Sequence, residues 1–228
     1  MKRIILSAAL LATMTFACQN DKVDQVSPPS TLGNLSADEL AVSSSIGRLG
    51  SSSEAFSQAT AYQKANPTST VAVTVDRSTV EAILGQSHTV GIRAYFIKNS
   101  EGKLDLALVG MDKDLNNRYL TNAMFSEGKT ISEENFKKKL TLFQSENPIA
   151  IRAVAFGSQI LLDRLNQTNS TGLRFYFTID KDGNRNLMFV GIDRQSKDLL
   201  NDNPNARTTD DDAGTGGMPC PQHCGNNG

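Results

Sequence analysis

The chain has 228 residues, 39% of them hydrophobic, with 23 Lys and Arg against 24 Asp and Glu and a formal net charge of -1. That length holds one large domain or two small ones, and the balanced charge argues against nucleic acid as a partner. Trp is absent and His occurs only as His88 and His223, which removes many metal and acid–base arrangements; no cofactor and no metal site are expected.

Lys2-Arg3 precede an apolar run from Ile4 to Leu11, and Thr15-Phe16-Ala17 ends in a small residue. This is the layout of a secretory signal over residues 1–17. The Cys18 that follows resembles the lipobox of bacterial lipoproteins, and the resemblance implies that Cys18 becomes the lipidated N-terminus. The alternative is an ordinary signal peptide with an incidental Cys. The run is shorter than the roughly 20 apolar residues a spanning helix needs. Residues 18–35 are polar, contain Pro28-Pro29 and read as a flexible tether. Its opening, Gln19-Asn20-Asp21-Lys22, resembles the short charged signals with which some Bacteroidota lipoproteins reach the cell surface. The expected location is the cell envelope, anchored in the outer membrane and facing the periplasm or the surface.

Ser36-Ala37-Asp38-Glu39 is a capping box that opens a short helix running to about Leu49. A repeated unit then begins. An ungapped offset of 81 makes 17 of the 53 positions from Thr60 to Asp112 identical to those from Thr141 to Asp193, where unrelated sequence would share roughly three. Each unit starts with a helix, about Glu54 to Ala65 and about Ser132 to Ser145, stopped by Asn66-Pro67 or Asn147-Pro148. A strand follows, Val71 to Val75 or Ile149 to Phe156. A second helix, roughly Ser78 to Gln86 or Ser158 to Gln167, leads into a hairpin.

The hairpins carry Gly-x-Arg-x-Tyr-Phe and then Val-Gly-x-Asp: Gly91, Arg93, Tyr95, Phe96, Val109, Gly110 and Asp112, against Gly172, Arg174, Tyr176, Phe177, Val190, Gly191 and Asp193. Asp182-Gly183 reads as a two-residue turn, with Glu101-Gly102 in the same place. Counting outward from those turns sets Arg93 opposite Gly110 and Gly91 opposite Asp112. The expectation is a pair of glycine-flanked ion pairs, Arg93/Asp112 and Arg174/Asp193, fastening adjacent strands. Ile92, Ala94, Phe96, Val109 and Met111 would then share one face, as would Leu173, Phe175, Phe177, Ile179, Met188, Val190 and Ile192.

The expected organisation is a first repeat over 36–117, a connecting segment over 118–130 lying across the body, a second repeat over 131–200, and a disordered tail over 201–228. The fold class is α+β, a tandem duplication of an α-β-α-β-β unit, with two similar halves whose antiparallel hairpins pack on helices.

Reactive side chains cluster in Cys220-Pro221-Gln222-His223-Cys224. With Cys18 given to lipid, these two cysteines form an even count in an oxidising compartment, so a local disulfide is the leading reading. Zinc lacks a fourth ligand nearby, a redox motif would have two intervening residues, and free or intermolecular thiols are the remaining alternative. The Arg/Asp pairs could orient a carboxylate or sugar, with Tyr95 and Tyr176 as stacking surfaces; the framework reading is that each pair satisfies itself. Asp180, Asp182 and Asn184 read as a solvated hairpin turn, because a calcium loop would need Gly where Arg185 stands. His88 reads as a loop residue.

Lipobox, Gly-x-Arg-x-Tyr-Phe, Val-Gly-x-Asp and the terminal Cys-Pro segment together resemble a set of uncharacterised lipoproteins and secreted proteins of Bacteroidota. The resemblance implies location and architecture and brings no catalytic residue, so the catalytic set is unknown. The leading expectation is a non-enzymatic binding or interaction module, held to the membrane by a lipid anchor and meeting an envelope protein or glycan. The alternative is an envelope hydrolase acting on glycan or peptide with Arg, Tyr and Asp of one hairpin.

Overall fold

The computed structural model describes residues 35–118, 124–148, 150–200 and 212–220. Its elements begin with α1 (Ala37–Ser45), β1 (Arg48–Gly50), α2 (Ser52–Ala65), β2 (Ala72–Asp76), α3 (Arg77–Leu84), β3 (Gly91–Lys98) and β4 (Leu104–Met111). The chain continues through β5 (Met124–Ser126), β6 (Lys129–Thr130), α4 (Glu133–Glu146), β7 (Ala153–Gly157) and α5 (Ser158–Leu165). It ends with β8 (Gly172–Ile179), β9 (Arg185–Ile192), β10 (Asp198–Leu199), β11 (Ala213–Thr215) and β12 (Met218–Cys220). The fold is α+β, with two antiparallel sheets.

Polar side chains set the helix ends. The Ser36 hydroxyl accepts from the Glu39 amide and the Glu39 carboxylate accepts from the Ser36 amide, which completes the capping box of α1. The Ser51 and Ser132 hydroxyls likewise accept from the Glu54 and Asn135 amides at the starts of α2 and α4. At their C-terminal ends the Asn66 and Asn147 side-chain amides donate to the Tyr62 and Phe143 carbonyls, at 3.0 and 2.9 Å. Each joins its own backbone amide on the same carbonyl, closing the last helical turn just before a proline prevents continuation.

One sheet runs β1-β11-β9-β8-β2 with β10 added on β9, and the other runs β12-β7-β3-β4-β5-β6. The first strand of each sequence unit therefore pairs with the hairpin of the other unit: β2 lies on β8, and β7 lies on β3. The two exchanges share one register at an offset of 81, since Ala72 faces Tyr176 as Ala153 faces Tyr95, and Asp76 faces Gly172 as Gly157 faces Gly91. The leading helices cross over as well. Tyr62 of α2 meets Phe177 of β8 with ring centroids 5.6 Å apart, and Phe143 of α4 meets Phe96 of β3 at 6.0 Å.

The sheets face one another across a shared core. Phe96 contacts Phe177 at 5.9 Å, and Phe156 contacts Phe189 at 5.0 Å. Val80, Ile83 and Leu84 of α3 join this cluster, as do Ile160, Leu161 and Leu165 of α5. Burying one such phenyl ring contributes about 1.5–3 kcal/mol. The interior rings Phe96, Phe156, Phe175, Phe177 and Phe189 therefore outweigh any single polar contact. On the outer faces, Phe136 of α4 packs on Tyr95, Ala107 and Val109, while Ala55 and Phe56 of α2 pack with Met188 and Val190.

Both hairpins have three-residue loops rather than the two-residue turns expected. Asn99 pairs with Lys103 and Asp180 with Asn184, while Gly102 and Gly183 take φ of 75° and 81°. A left-handed glycine closing such a loop is a common hairpin solution. The extra residue slips the register by one, which turns the returning strand over. Arg93 stands opposite Val109 and Ile92 opposite Gly110; Arg174 stands opposite Val190 and Leu173 opposite Gly191. The inner face thus holds Ile92, Ala94 and Phe96 with Leu106 and Leu108, and the expected face assignment of β4 and β9 is corrected.

Residues 212–220, inside the expected tail, also depart from expectation. Residues 213–220 form β11 and β12, one in each sheet, with Asp212 buried beside Arg164 at 3.1 Å. Strands of three residues leave no periodicity for a sequence to display.

Candidate functional site

Asp112 and Asp193 are not the partners of Arg93 and Arg174. Asp112 Oδ1 accepts from the amides of Asp114 and Asn116, both at 2.9 Å, and Asp193 Oδ1 accepts from those of Gln195 and Lys197 at 2.9 and 2.8 Å. Each carboxylate folds the chain into a tight turn in which Leu115 or Ser196 adopts a positive φ. The one-residue slip in register explains the correction, because it removes the expected diagonal.

The turn carries the true partners. Arg93 Nη1 donates to Asn117 Oδ1 at 2.7 Å and Nη2 to the Leu115 carbonyl at 2.8 Å, while Asn117 Nδ2 donates to the Tyr95 hydroxyl at 2.6 Å. In the other half Arg174 Nη1 donates to Asp198 Oδ1 at 2.6 Å and Nη2 to the Ser196 carbonyl at 2.7 Å, and the Tyr176 hydroxyl donates to Asp198 Oδ2 at 2.5 Å. Asn117 and Asp198 are again 81 apart. Sequence comparison missed them because they are not identical and lie beyond the last identical position.

The two networks differ in charge and exposure. Arg93 is fully buried against a neutral amide, whereas the Arg174 and Asp198 side chains remain 20% and 15% exposed. Burial raises the Tyr176 pKa, and its bond to Asp198 adds to the shift. Burial pulls the Arg174 pKa down, but the contacts with Tyr176 and Asp198 outweigh it and the net shift is upward. Phe56 closes edge-on over Tyr176 at 5.2 Å. The Nη groups of both arginines, both tyrosine hydroxyls and the Asn117 and Asp198 side chains are therefore engaged within the fold.

The glycines of Val-Gly-x-Asp serve helix packing rather than guanidinium clearance. A Cβ at Gly110 would sit 3.2 Å from Ile83 Cγ2, and one at Gly191 would sit 2.9 Å from the Arg164 carbonyl. Their absence lets α3 and the end of α5 close on the sheets.

Cys220 is disulfide-bonded and buried at the end of β12. Cys224, its expected partner, lies outside the described residues, as do Cys18 and His223. His88 has a definite role: its Nδ1 lies 2.8 Å from Glu39 Oε1, tying the loop before β3 to α1. Asp180 Oδ1 accepts from the Asp182 and Asn184 amides at 2.9 and 2.8 Å, so it serves the hairpin turn.

A cavity of about 330 Å³ opens where the turn ends of β3–β4 and β8–β9 meet the C-terminal end of α4. Its wall includes Lys98, Lys103, Arg185, Glu146, Asn147 and Ser69. The Arg185 guanidinium lies 5.4 Å from the Phe143 ring centroid and 5.7 Å from that of Phe96. A second, apolar groove between β2 and β4–β5 encloses only about 40 Å³, room for roughly one water. Arg185 was passed over in the sequence as the residue that breaks a calcium pattern. A cation beginning a strand carries no signal until its aromatic neighbours are known.

Compared with known proteins, the chain matches no protein-family model, no curated protein and no solved structure.

Proposed function

We propose that this chain is a non-enzymatic binding or interaction module of the cell envelope, tethered by lipid on Cys18 and built by duplication of one α-β-α-β-β unit. The observation that carries the non-enzymatic reading is the internal closure of both Arg–Tyr networks. Each guanidinium holds a side-chain oxygen and a backbone carbonyl, and each tyrosine is bonded to the same Asn or Asp. Groups arranged to saturate one another offer no poised acid, base or nucleophile to a substrate. Duplication is supported by the shared 81-residue offset in sequence, in strand register and in these networks.

The hydrolase alternative would rest on Arg174, Tyr176 and Asp198, the more exposed set. Against it, both Asp198 oxygens are already taken. The test uses full-length protein purified from the envelope of a lipoprotein-processing host. Mass spectrometry is expected to find a mature N-terminal fragment acylated on Cys18, and native mass spectrometry to find a bound small molecule. An unmodified N-terminus would overturn the anchor. Turnover of a glycan or peptide panel that disappears in Asp198→Asn would overturn the non-enzymatic reading.

A further inference from the structure

Arg185 sits in the cavity wall under conditions that a purely structural arginine would not require. Its Nε and Nη1 are buried in the fold, with the Tyr62 hydroxyl beside the guanidinium, which leaves Nη2 as the nitrogen that can meet the cavity. The rings of Phe96 and Phe143 hold the guanidinium in place through their π-faces. The framework has no need of a charge here, since Leu104, 81 residues earlier on β4, fills the corresponding position with a buried apolar side chain.

The surroundings reinforce that charge. Lys98 and Lys103 line the same space, and Glu146 is the one carboxylate among the lining residues, paired with Lys98 at 2.9 Å. Lys103 is itself paired with Glu101 at 2.8 Å, so once Glu101 is counted the excess is one positive charge, that of Arg185. Hydroxyls of Thr68 and Ser69 and the side chain of Asn147 complete a strongly polar wall. Asn147 Nδ2 is committed to the Phe143 carbonyl, so Oδ1 is the atom it can turn toward a hydroxyl. At about 330 Å³ the space is at the small end of ligand pockets.

We propose that this cavity binds a small hydroxylated acid of the acidic-sugar class, its anionic group held by Arg185 with Lys98 and Lys103 and its hydroxyls by Ser69 and Asn147. The proposal deepens the binding reading above and rests on it. An oxyanion in the cavity would accept from Nη2 and be attracted by the guanidinium charge, a charge-assisted contact that arginine makes well.

The test is calorimetric titration of the full-length protein in detergent with sodium glucuronate, glucose and inorganic phosphate, against sodium chloride at matched ionic strength. Glucuronate is expected to bind saturably and glucose far more weakly. Phosphate that competes with glucuronate would support the shared anion site and show that the acid group dominates. In Arg185→Leu, the residue of the other half, affinity should fall about tenfold or more, the usual weight of a charge-assisted bond. If that variant melts early, Lys103→Gln, at an exposed position, should still weaken glucuronate severalfold. Unchanged affinity in these variants, glucose bound as well as glucuronate, or no response beyond sodium chloride would each overturn the assignment. A different co-purified ligand, bound equally by Arg185→Leu, would sink this site while leaving the module reading in place.

Discussion

Arg93 and Arg174 occupy matching strand positions and grip matching carbonyls, but their surroundings give them different weights. Arg93 is wholly buried, so Arg93→Ala leaves the Asn117 amide oxygen and the Leu115 carbonyl without their donor. The expected loss is about 2–4 kcal/mol in chemical denaturation. Arg174→Ala should cost about 1 kcal/mol, because a partly exposed pair is screened by solvent. Equal losses would show that exposure does not set the difference. Glu39 supplies a pH-dependent contact. The Ser36 amide, then the His88 side chain, lower its pKa from 4.5 to about 2. Its contribution is therefore complete above about pH 4.5 and fades as pH falls through about 2. Acid unfolding of the wild type should steepen across that window, and Glu39→Gln should remove that component. At this scale the arginines, tyrosines and glycines were legible because they are identical in both units. Their partners were not, since Asn117 in one unit is Asp198 in the other and a polar contact tolerates that exchange.

At the scale of elements, the capping-box start of α1 and the Asn-Pro stops of α2 and α4 could be read because they are local chemistry, but α1 ends at Ser45 rather than near Leu49, and Arg48–Gly50 form β1. Hairpin register could not be read, because a two-residue and a three-residue loop both want glycine near the turn. The observed φ of Gly183 makes it a direct check: Gly183→Ala forces a side chain into the left-handed region and should cost about 1–2 kcal/mol. No loss would mean a different turn. The segment 212–220 was read as a tail because its acidic run and small residues resemble unstructured sequence, yet it supplies one strand to each sheet. Asp212→Ala, which leaves the nearly buried Arg164 without this carboxylate, should lower stability by about 3 kcal/mol. An unchanged melting temperature would show that the clamp is not fastened there.

Across the whole molecule, the unit of sequence is not the unit of packing. Local patterning could not reveal this, since β2 buries the same residues whichever hairpin it joins. The exchange has a testable corollary. Residues 51–117 expressed alone place β2 and the β3–β4 hairpin in different sheets, so the fragment cannot complete either sheet by itself. It should associate into a two-fold dimer in which each copy lends its α2 and β2 to the other, as light scattering after size exclusion would report. A stable folded monomer would contradict the exchange.

The crossing of β2 and β7 also bears on how the molecule comes apart. Beads on a string separate once the string is cut, but here each half is stitched through its neighbour. A protease nick introduced after Arg118 should leave two fragments that co-migrate under native conditions and part only in denaturant.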